Sequence, residues 1–249
     1  MILITGASSG IGEACAIEYA KKKKSLIIWA RRSNRLQKLA IELKNLGCPE
    51  VHYATIDVSD RSQIESEIQN NSKIYSNVSI LINGAGLALG LEAFQDSSLD
   101  DADRVIDTNL KGLLYVTHAL LPIMIKNRLG HIVHLGSVAG RYNYPKGHVY
   151  CATKAAIKSL NESLRMDLLG TPIRMTEIAP GMVETEFSQV RLGDTEKAKK
   201  VYAGMTPLTA QDIAEAVVWS TERPRHVNIQ EIILYPTDQV SPTQVYRKP

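Results

Sequence analysis

Short uninterrupted apolar runs alternate with longer stretches of helical period from one end of the chain to the other, and this alternation constrains the fold more than any other feature. The runs are Ile2–Thr5, Ser25–Ala30, Val51–Ile56, Val78–Ile82, His131–Leu135, Ile173–Ile178 and Ile229–Tyr235. Between them, helical spacing predicts helices from Gly10 to Lys23, from a cap at Ser33 to Leu46, after Ser59, from Leu99 to Asn127 with a break near Asn109, over His148–Leu169 and over Ala210–Thr221. Strands without an inside–outside alternation belong to sheets covered on both faces, and strand–helix alternation makes such sheets parallel. Right-handed crossovers then give an α/β fold, a Rossmann-like doubly wound parallel seven-stranded sheet with helices on both faces. No linker, repeat or composition shift divides residues 1–249, so a single domain is expected. Residues 182–209 are irregular apart from a short helix near Thr195–Ala203 and are expected to form a substrate lid; 236–249 form a tail. Pro122 implies a kink or a first-turn position in its helix.

The first strand hands over to the first helix through Thr5-Gly6-Ala7-Ser8-Ser9-Gly10-Ile11-Gly12. Gly6 permits the tight turn, Gly10 lets backbone approach a pyrophosphate, and Gly12 lets helix and sheet pack closely. The unpaired N–H groups of the helix start, with Ser8, Ser9 and Ile11 in the turn, then face phosphate. At the end of the second strand an NAD site ordinarily carries an acid for the ribose 2′-hydroxyl. Here Ala30 is followed by Arg31 and Arg32, two guanidinium groups that suit the 2′-phosphate of NADP, with the Ser9 hydroxyl beside them. Asp57 and Val58, after the third strand, are placed for the adenine ring.

Tyr150 and Lys154 stand four apart on a helix and face one way. A tyrosine titrates near 10, and a nearby ammonium favours its phenolate. Ser137, at the end of the fifth strand, offers a hydroxyl to polarise a substrate carbonyl, while Tyr150 gives a proton to the developing alkoxide. A small carboxylate substrate would need a forked cation, for which Arg141 and Arg191 are the candidates and Lys146 a weaker third.

The set Thr5–Gly12, Asn83-Gly84-Ala85-Gly86, Asn109, Ser137, Tyr150-x-x-x-Lys154 and Pro180-Gly181 resembles the short-chain dehydrogenase/reductase family in order and spacing over essentially the whole chain. The resemblance implies that Asn109 completes a tetrad with Ser137, Tyr150 and Lys154, holding a water that relays protons from Lys154. It implies that Tyr150 and Lys154 also bind the cofactor, Lys154 at the nicotinamide ribose, that Asn83, Ala85 and Gly86 border it, and that Pro180, Gly181, Val183 and Thr185 lie along the nicotinamide. Gly84 departs from the second asparagine usual there. Gly136–Arg141, Tyr144–Lys154, Ala179–Ser188 and Tyr235–Pro242 are similar to the NADP-dependent 3-hydroxy acid (serine) dehydrogenases. That similarity implies hydride transfer between NADP(H) and a small 3-hydroxy acid or its semialdehyde. A broader NADPH-dependent carbonyl reductase of apolar ketones and a non-catalytic NADP-binding sensor are the alternatives, and a sensor would be expected to lack part of the tetrad.

A formal net charge of +3 is too small to make nucleic acid the partner. Three scattered cysteines suit a reduced, cytoplasmic protein, and the first strand, expected from Ile2, leaves no leader peptide. No apolar run is long enough to cross a membrane. His131 and His134 point to opposite faces of one strand, so no metal is expected. Apolar or small residues on several faces of the long helices (Leu113, Leu114, Ala119, Leu120; Ala152, Ala155, Ala156, Ser159) predict a homo-oligomer, and the family resemblance implies a tetramer.

Overall fold

The computed structural model describes residues 1–248; Pro249, the last residue of the expected tail, lies outside them. Seven parallel strands form the main sheet, β1 (Ile2–Thr5), β2 (Leu26–Ala30), β3 (Val51–Thr55), β4 (Ile80–Asn83), β5 (Gly130–Leu135), β6 (Ile173–Pro180) and the edge strand Glu231–Leu234. Their order across the sheet is β3-β2-β1-β4-β5-β6 and then the edge strand. The chain moves outward from β1 to β3, then crosses back to β4 on the other side of β1. That reversal opens a crevice beyond the carboxyl ends of β1 and β4.

Every residue of β1, β2 and β5 is buried, because the period-two side chains meet helices on both faces. Ile2, Ile4 and Ile28 join a core with helices α1 (Gly10–Lys21), α2 (Ser33–Asn45) and, last in the chain, Ala210–Thr221. Leu3, Ile27, Trp29, Leu81 and Ile132 turn the other way, onto a core that takes in Ile64 of α3 (Arg61–Asn70) and Val116, Leu120 and Met124 of a helix over Leu113–Lys126. Asp60 caps α3 by accepting from the Ser62 and Gln63 amides, and Thr209 with Asp212 closes a capping box on the last helix.

Several boundaries differ from expectation. β4 starts at Ile80, because the Val78 amide is taken by the Tyr75 carbonyl in the turn that ends α4 (Ser72–Tyr75). Ser33 is the first residue of α2, whose cap position falls to Arg32. The break expected near Asn109 is a wide π turn over Asp107–Gly112, set between α5 (Leu99–Ile106) and α6 (Leu113–Lys126). Pro122 lies inside α6. The helix carrying Tyr150, α7, spans His148–Asp167. The segment 182–209 is more ordered than expected. It holds β7 (Val183–Glu184), α8 (Phe187–Leu192), α9 (Thr195–Val201) and β8 (Leu208–Thr209), with β7 and β8 paired in parallel. The final helix is α10 and the edge strand β9.

Candidate active site

The crevice holds a cavity of about 610 Å³, lined by the glycine turn, Ala30–Arg32, Ile56–Val58, Gly84–Leu87, Leu135–Ala139, Tyr144, Tyr150, Lys154 and much of the 180–192 segment. At its nucleotide end, Gly6 and Gly10 have φ of 70° and 58°, where a side chain would be strained. A Cβ on Gly12 would lie 2.5 Å from the Gly6 carbonyl, so only glycine lets the helix start this close to the strand. Ser9 occupies the cap position of α1 yet makes no capping bond. Its hydroxyl accepts from Arg32 Nη2 at 2.5 Å, and Ser8 Oγ accepts from Arg32 Nε at 3.0 Å. The first-turn amides of α1 are left toward the cavity, with a guanidinium beside them. Arg31 also lines the cavity, its Nη1 3.8 Å from Asp57 Oδ2. A backbone turn that admits phosphate, two arginines and no acid at Ala30 fit a dinucleotide carrying a 2′-phosphate.

Of the expected cofactor residues, Gly6, Ser8, Ser9, Gly10, Ile11, Gly12, Arg31, Arg32, Asp57, Val58, Ala85, Gly86, Pro180, Gly181, Val183 and Thr185 line the cavity. Asn83 does not. Its Nδ2 donates to Thr117 Oγ1 of α6 at 2.9 Å, in the buried packing between sheet and helix, and Gly84 lines the cavity in its place. The Gly84 and Ala85 amides donate to Thr5 Oγ1 at 3.0 and 3.1 Å, tying the loop after β4 to the end of β1.

The four residues expected to form a tetrad arrive from three elements. Asn109 is buried in the π turn, an irregularity often found at functional sites. Its Oδ1 accepts from the Leu87 amide and its Nδ2 donates to the Leu87 carbonyl, both at 2.8 Å, with a further bond to Thr153 Oγ1. The side chain therefore fixes the loop that follows Gly86. A Cβ on Gly86 would meet Asn109 Oδ1 at 3.4 Å and Lys154 Nζ at 3.8 Å, which places that glycine between them. Ser137 follows β5 and its Oγ accepts from the Ala139 amide. Tyr150 and Lys154 share one side of α7, with Lys154 Nζ 5.7 Å from the Tyr150 ring centroid and donating to the Leu135 carbonyl at 2.7 Å.

Burial, not the ammonium, dominates both titrations. The Tyr150 hydroxyl is pushed up by burial and by Tyr144, against the hydroxyl of Ser137 and the guanidinium of Arg191. Lys154 is pushed down to about 8 by burial, with Glu177 opposing. The expectation that the neighbouring ammonium would draw the phenol down is corrected: burial outweighs it, and a cation sharing a dry pocket is itself destabilised there. In this geometry Tyr150 holds its proton and suits proton donation.

The two candidate carboxylate anchors part company. Arg141 donates to Glu177 at 3.0 and 2.8 Å, to the Ser137 carbonyl at 3.1 Å, and pairs with Glu231; it does not line the cavity. It is a half-buried structural cation, which corrects its place among the substrate residues. Arg191, in α8, does line the cavity. Its Nη1 donates to Tyr144 Oη at 2.8 Å and its Nε to the Gly90 carbonyl at 3.2 Å, and the guanidinium lies over the Tyr150 ring, 5.7 Å from its centroid. Phe187 packs 5.5 Å from that ring, centroid to centroid. Lys146, the weaker candidate, is also absent from the lining.

Sequence reasoning did not single out Tyr144, Gln239, Glu186 or Arg35 in this region. Tyr144 and Gln239 line the cavity, and Gln239 Oε1 accepts from the Met182 amide at 2.8 Å. Glu186 bridges Arg32 and Arg35 at 2.8 and 2.7 Å. Nothing in a local window signals pairs formed across about 150 positions, although Arg35, one turn beyond Arg32, could have been weighed with the other cations.

Comparison with known proteins agrees with this geometry. Residues 1–195 match the short chain dehydrogenase family. Over 241 residues the chain is 45% identical to sulfoacetaldehyde reductase 2 of Chromohalobacter salexigens, covering 96% of this chain and 95% of that protein. It is 43% identical over 249 residues to the NADP-dependent 3-hydroxy acid dehydrogenase of Schizosaccharomyces pombe, covering 99% and 96%. Among solved structures, the closed form of serine dehydrogenase complexed with NADP+ aligns with a TM-score of 0.92 at 41% identity over 99% of each chain.

Proposed function

The chain belongs to the short chain dehydrogenase family, and on that footing we propose that it interconverts a small 3-hydroxy acid and its semialdehyde or keto form with NADP(H). It is an NADP-dependent oxidoreductase: Arg31, Arg32 and the Ser8 and Ser9 hydroxyls supply the 2′-phosphate end, in keeping with its NADP-dependent relatives. When bound, NADPH supplies the hydride and NADP+ receives it. Gly86, Pro180, Gly181, Val183 and Thr185 would hold the nicotinamide half, with Lys154 at its ribose.

The remaining chemistry belongs to the chain. Ser137 Oγ donates to the substrate carbonyl oxygen and holds it toward Tyr150. Tyr150 delivers its phenolic proton to that oxygen as negative charge develops, and takes it back in the alcohol-oxidising direction. Lys154 stabilises the phenolate left behind, and Asn109 keeps the Gly86–Leu87 loop in place beside a water path from Lys154 to solvent. The observation that carries the substrate class is Arg191, a cation lying over the Tyr150 ring with donors to spare after Tyr144 and Gly90. A guanidinium has five N–H donors, and a carboxylate accepts two in parallel. A sulfonate is also an anion with several acceptor oxygens, so the sulfonated aldehyde named for one relative is a second reading of the same anchor. A crystal structure with NADP+ and 3-hydroxypropionate tests the assignment. A carboxylate at Arg191 and a hydroxyl between Ser137 and Tyr150 are expected; a carboxylate turned to solvent refutes it.

The same proposal includes a homotetramer in the cytoplasm. Support comes from apolar side chains exposed on α6 and α7, among them Leu114, Ile125 and Met166, and from three buried free cysteines. No helix among the described residues is long and apolar enough to cross a membrane. Light scattering of the purified chain reads the assembly; a monomer at micromolar concentration would refute it.

A further inference from the structure

The carboxylate of Glu186 spans two arginines at the nucleotide end. Its Oε2 accepts from Arg32 Nη1 at 2.8 Å and its Oε1 from Arg35 Nη1 at 2.7 Å. Arg32 is also the side chain that reaches into the glycine turn, through Nε to Ser8 and Nη2 to Ser9. All three nitrogens of its fork are therefore engaged, one of them by an acid that itself lines the cavity. Arg35 does not line the cavity. Glu186 stands at the cap position of α8, the short helix that also carries Phe187 and Arg191.

We propose that Glu186 is an internal counter-anion that exchanges with the cofactor's 2′-phosphate at Arg32, retreats onto Arg35, and returns to ease nucleotide release. The inference rests on NADP(H) being the cofactor. A 2′-phosphate carries up to twice the charge of a carboxylate and has three acceptor oxygens, so it outcompetes Glu186 for the guanidinium edge. Glu186 and both arginines are each about two-fifths exposed, a setting in which ion pairs are weak enough to exchange. Arg35 gives the displaced carboxylate a partner outside the cavity, so the exchange trades one ion pair for another. A dinucleotide without the 2′-phosphate leaves the Glu186–Arg32 pair intact and gains nothing from it. Glu186 thereby tempers NADPH affinity while leaving NADH untouched, from a position on the lid.

Binding of NADPH and NADH to the full chain, read by nucleotide fluorescence, tests the exchange. Glu186→Gln removes the competitor, so the NADPH Kd is expected to fall about twofold to fivefold, the upper part of the range set by a weak exposed ion pair. The NADPH dissociation rate falls with it, and the NADH Kd moves less than about twofold. Arg35→Ala removes the retreat position and weakens NADPH binding in the native background but not in the Glu186→Gln background. Weaker NADPH binding in Glu186→Gln would show that Glu186 aims Arg32 and would overturn the proposal. So would equal tightening of both nucleotides, or an Arg35→Ala loss of the same size in both backgrounds. Failure of the cofactor reading looks different: the native chain would bind NADPH no tighter than NADH.

Discussion

Replacing Arg191 by alanine should separate charged from neutral substrates. The guanidinium uses one nitrogen on Tyr144 and another on the Gly90 carbonyl, which leaves donors for a substrate anion. A hydrogen bond to a charged group contributes about 1.5–3 kcal/mol, so kcat/KM for 3-hydroxypropionate should fall about 10- to 150-fold. Arg191 also opposes the upward push on the Tyr150 hydroxyl, so its loss slows every substrate somewhat. The informative quantity is the ratio of the loss for the acid to the loss for a neutral secondary alcohol of similar size, which cancels the shared effect on Tyr150. Initial rates with NADP+ at one pH give both numbers. Arg191→Lys should recover part of the acid's loss, because an ammonium keeps the charge without the fork. Equal losses for acid and alcohol would refute the anchoring.

Other consequences follow from the buried charges. Arg141→Ala leaves Glu177, only 2% exposed, without its partner; stability should drop by about 3–5 kcal/mol, seen as a lower Tm, and an unchanged Tm would contradict the structural role. Lys154 titrates at about 8 when folded against 10.5 as its ordinary value. The unfolded chain therefore binds the extra proton between those values, and stability rises with pH across that window. Below it the buried ammonium costs about 3 kcal/mol, so Lys154→Met should abolish turnover yet raise Tm by a few degrees at pH 7, less about 1 kcal/mol for the unpaired Leu135 carbonyl. A lower Tm at pH 7 would count against that balance. Because the Tyr150 hydroxyl is pushed up, alcohol oxidation, which needs the phenolate, should accelerate steadily from pH 6 to about 8, where Lys154 begins to lose the charge that stabilises that phenolate; a plateau already at pH 6 would refute it. Gly12→Ala should abolish NADPH binding, since its Cβ would lie 2.5 Å from the Gly6 carbonyl; retained affinity in a calorimeter would show that the turn tolerates it.

What could be read from the sequence divides along physical lines. Strands buried on both faces announce themselves as apolar runs, so all seven main strands and their parallel arrangement were legible, as was the break at Asn109. The glycine turn and the shared side of Tyr150 and Lys154 on α7 were legible because both depend on short fixed spacings. The fate of Arg141 was not, because its partners arrive from β6 and β9. One clue existed: Glu177 interrupts the otherwise apolar end of β6, and an acid buried in a sheet needs a cation. The six-residue α8 was missed because it is too short to show a period. The Tyr150 titration was misjudged because sequence reveals the neighbouring ammonium but not the burial that outweighs it.

The central claim, NADP-dependent oxidation of a small 3-hydroxy acid through Tyr150, is tested most directly by following reduced nicotinamide formation from NADP+. The purified chain would be given 3-hydroxypropionate, L-serine, 2-hydroxyethanesulfonate and a neutral secondary alcohol. Turnover fastest with a hydroxy acid, far slower with NAD+ and lost in Tyr150→Phe is the predicted result. Turnover confined to the neutral alcohol, or surviving in Tyr150→Phe, would contradict the account.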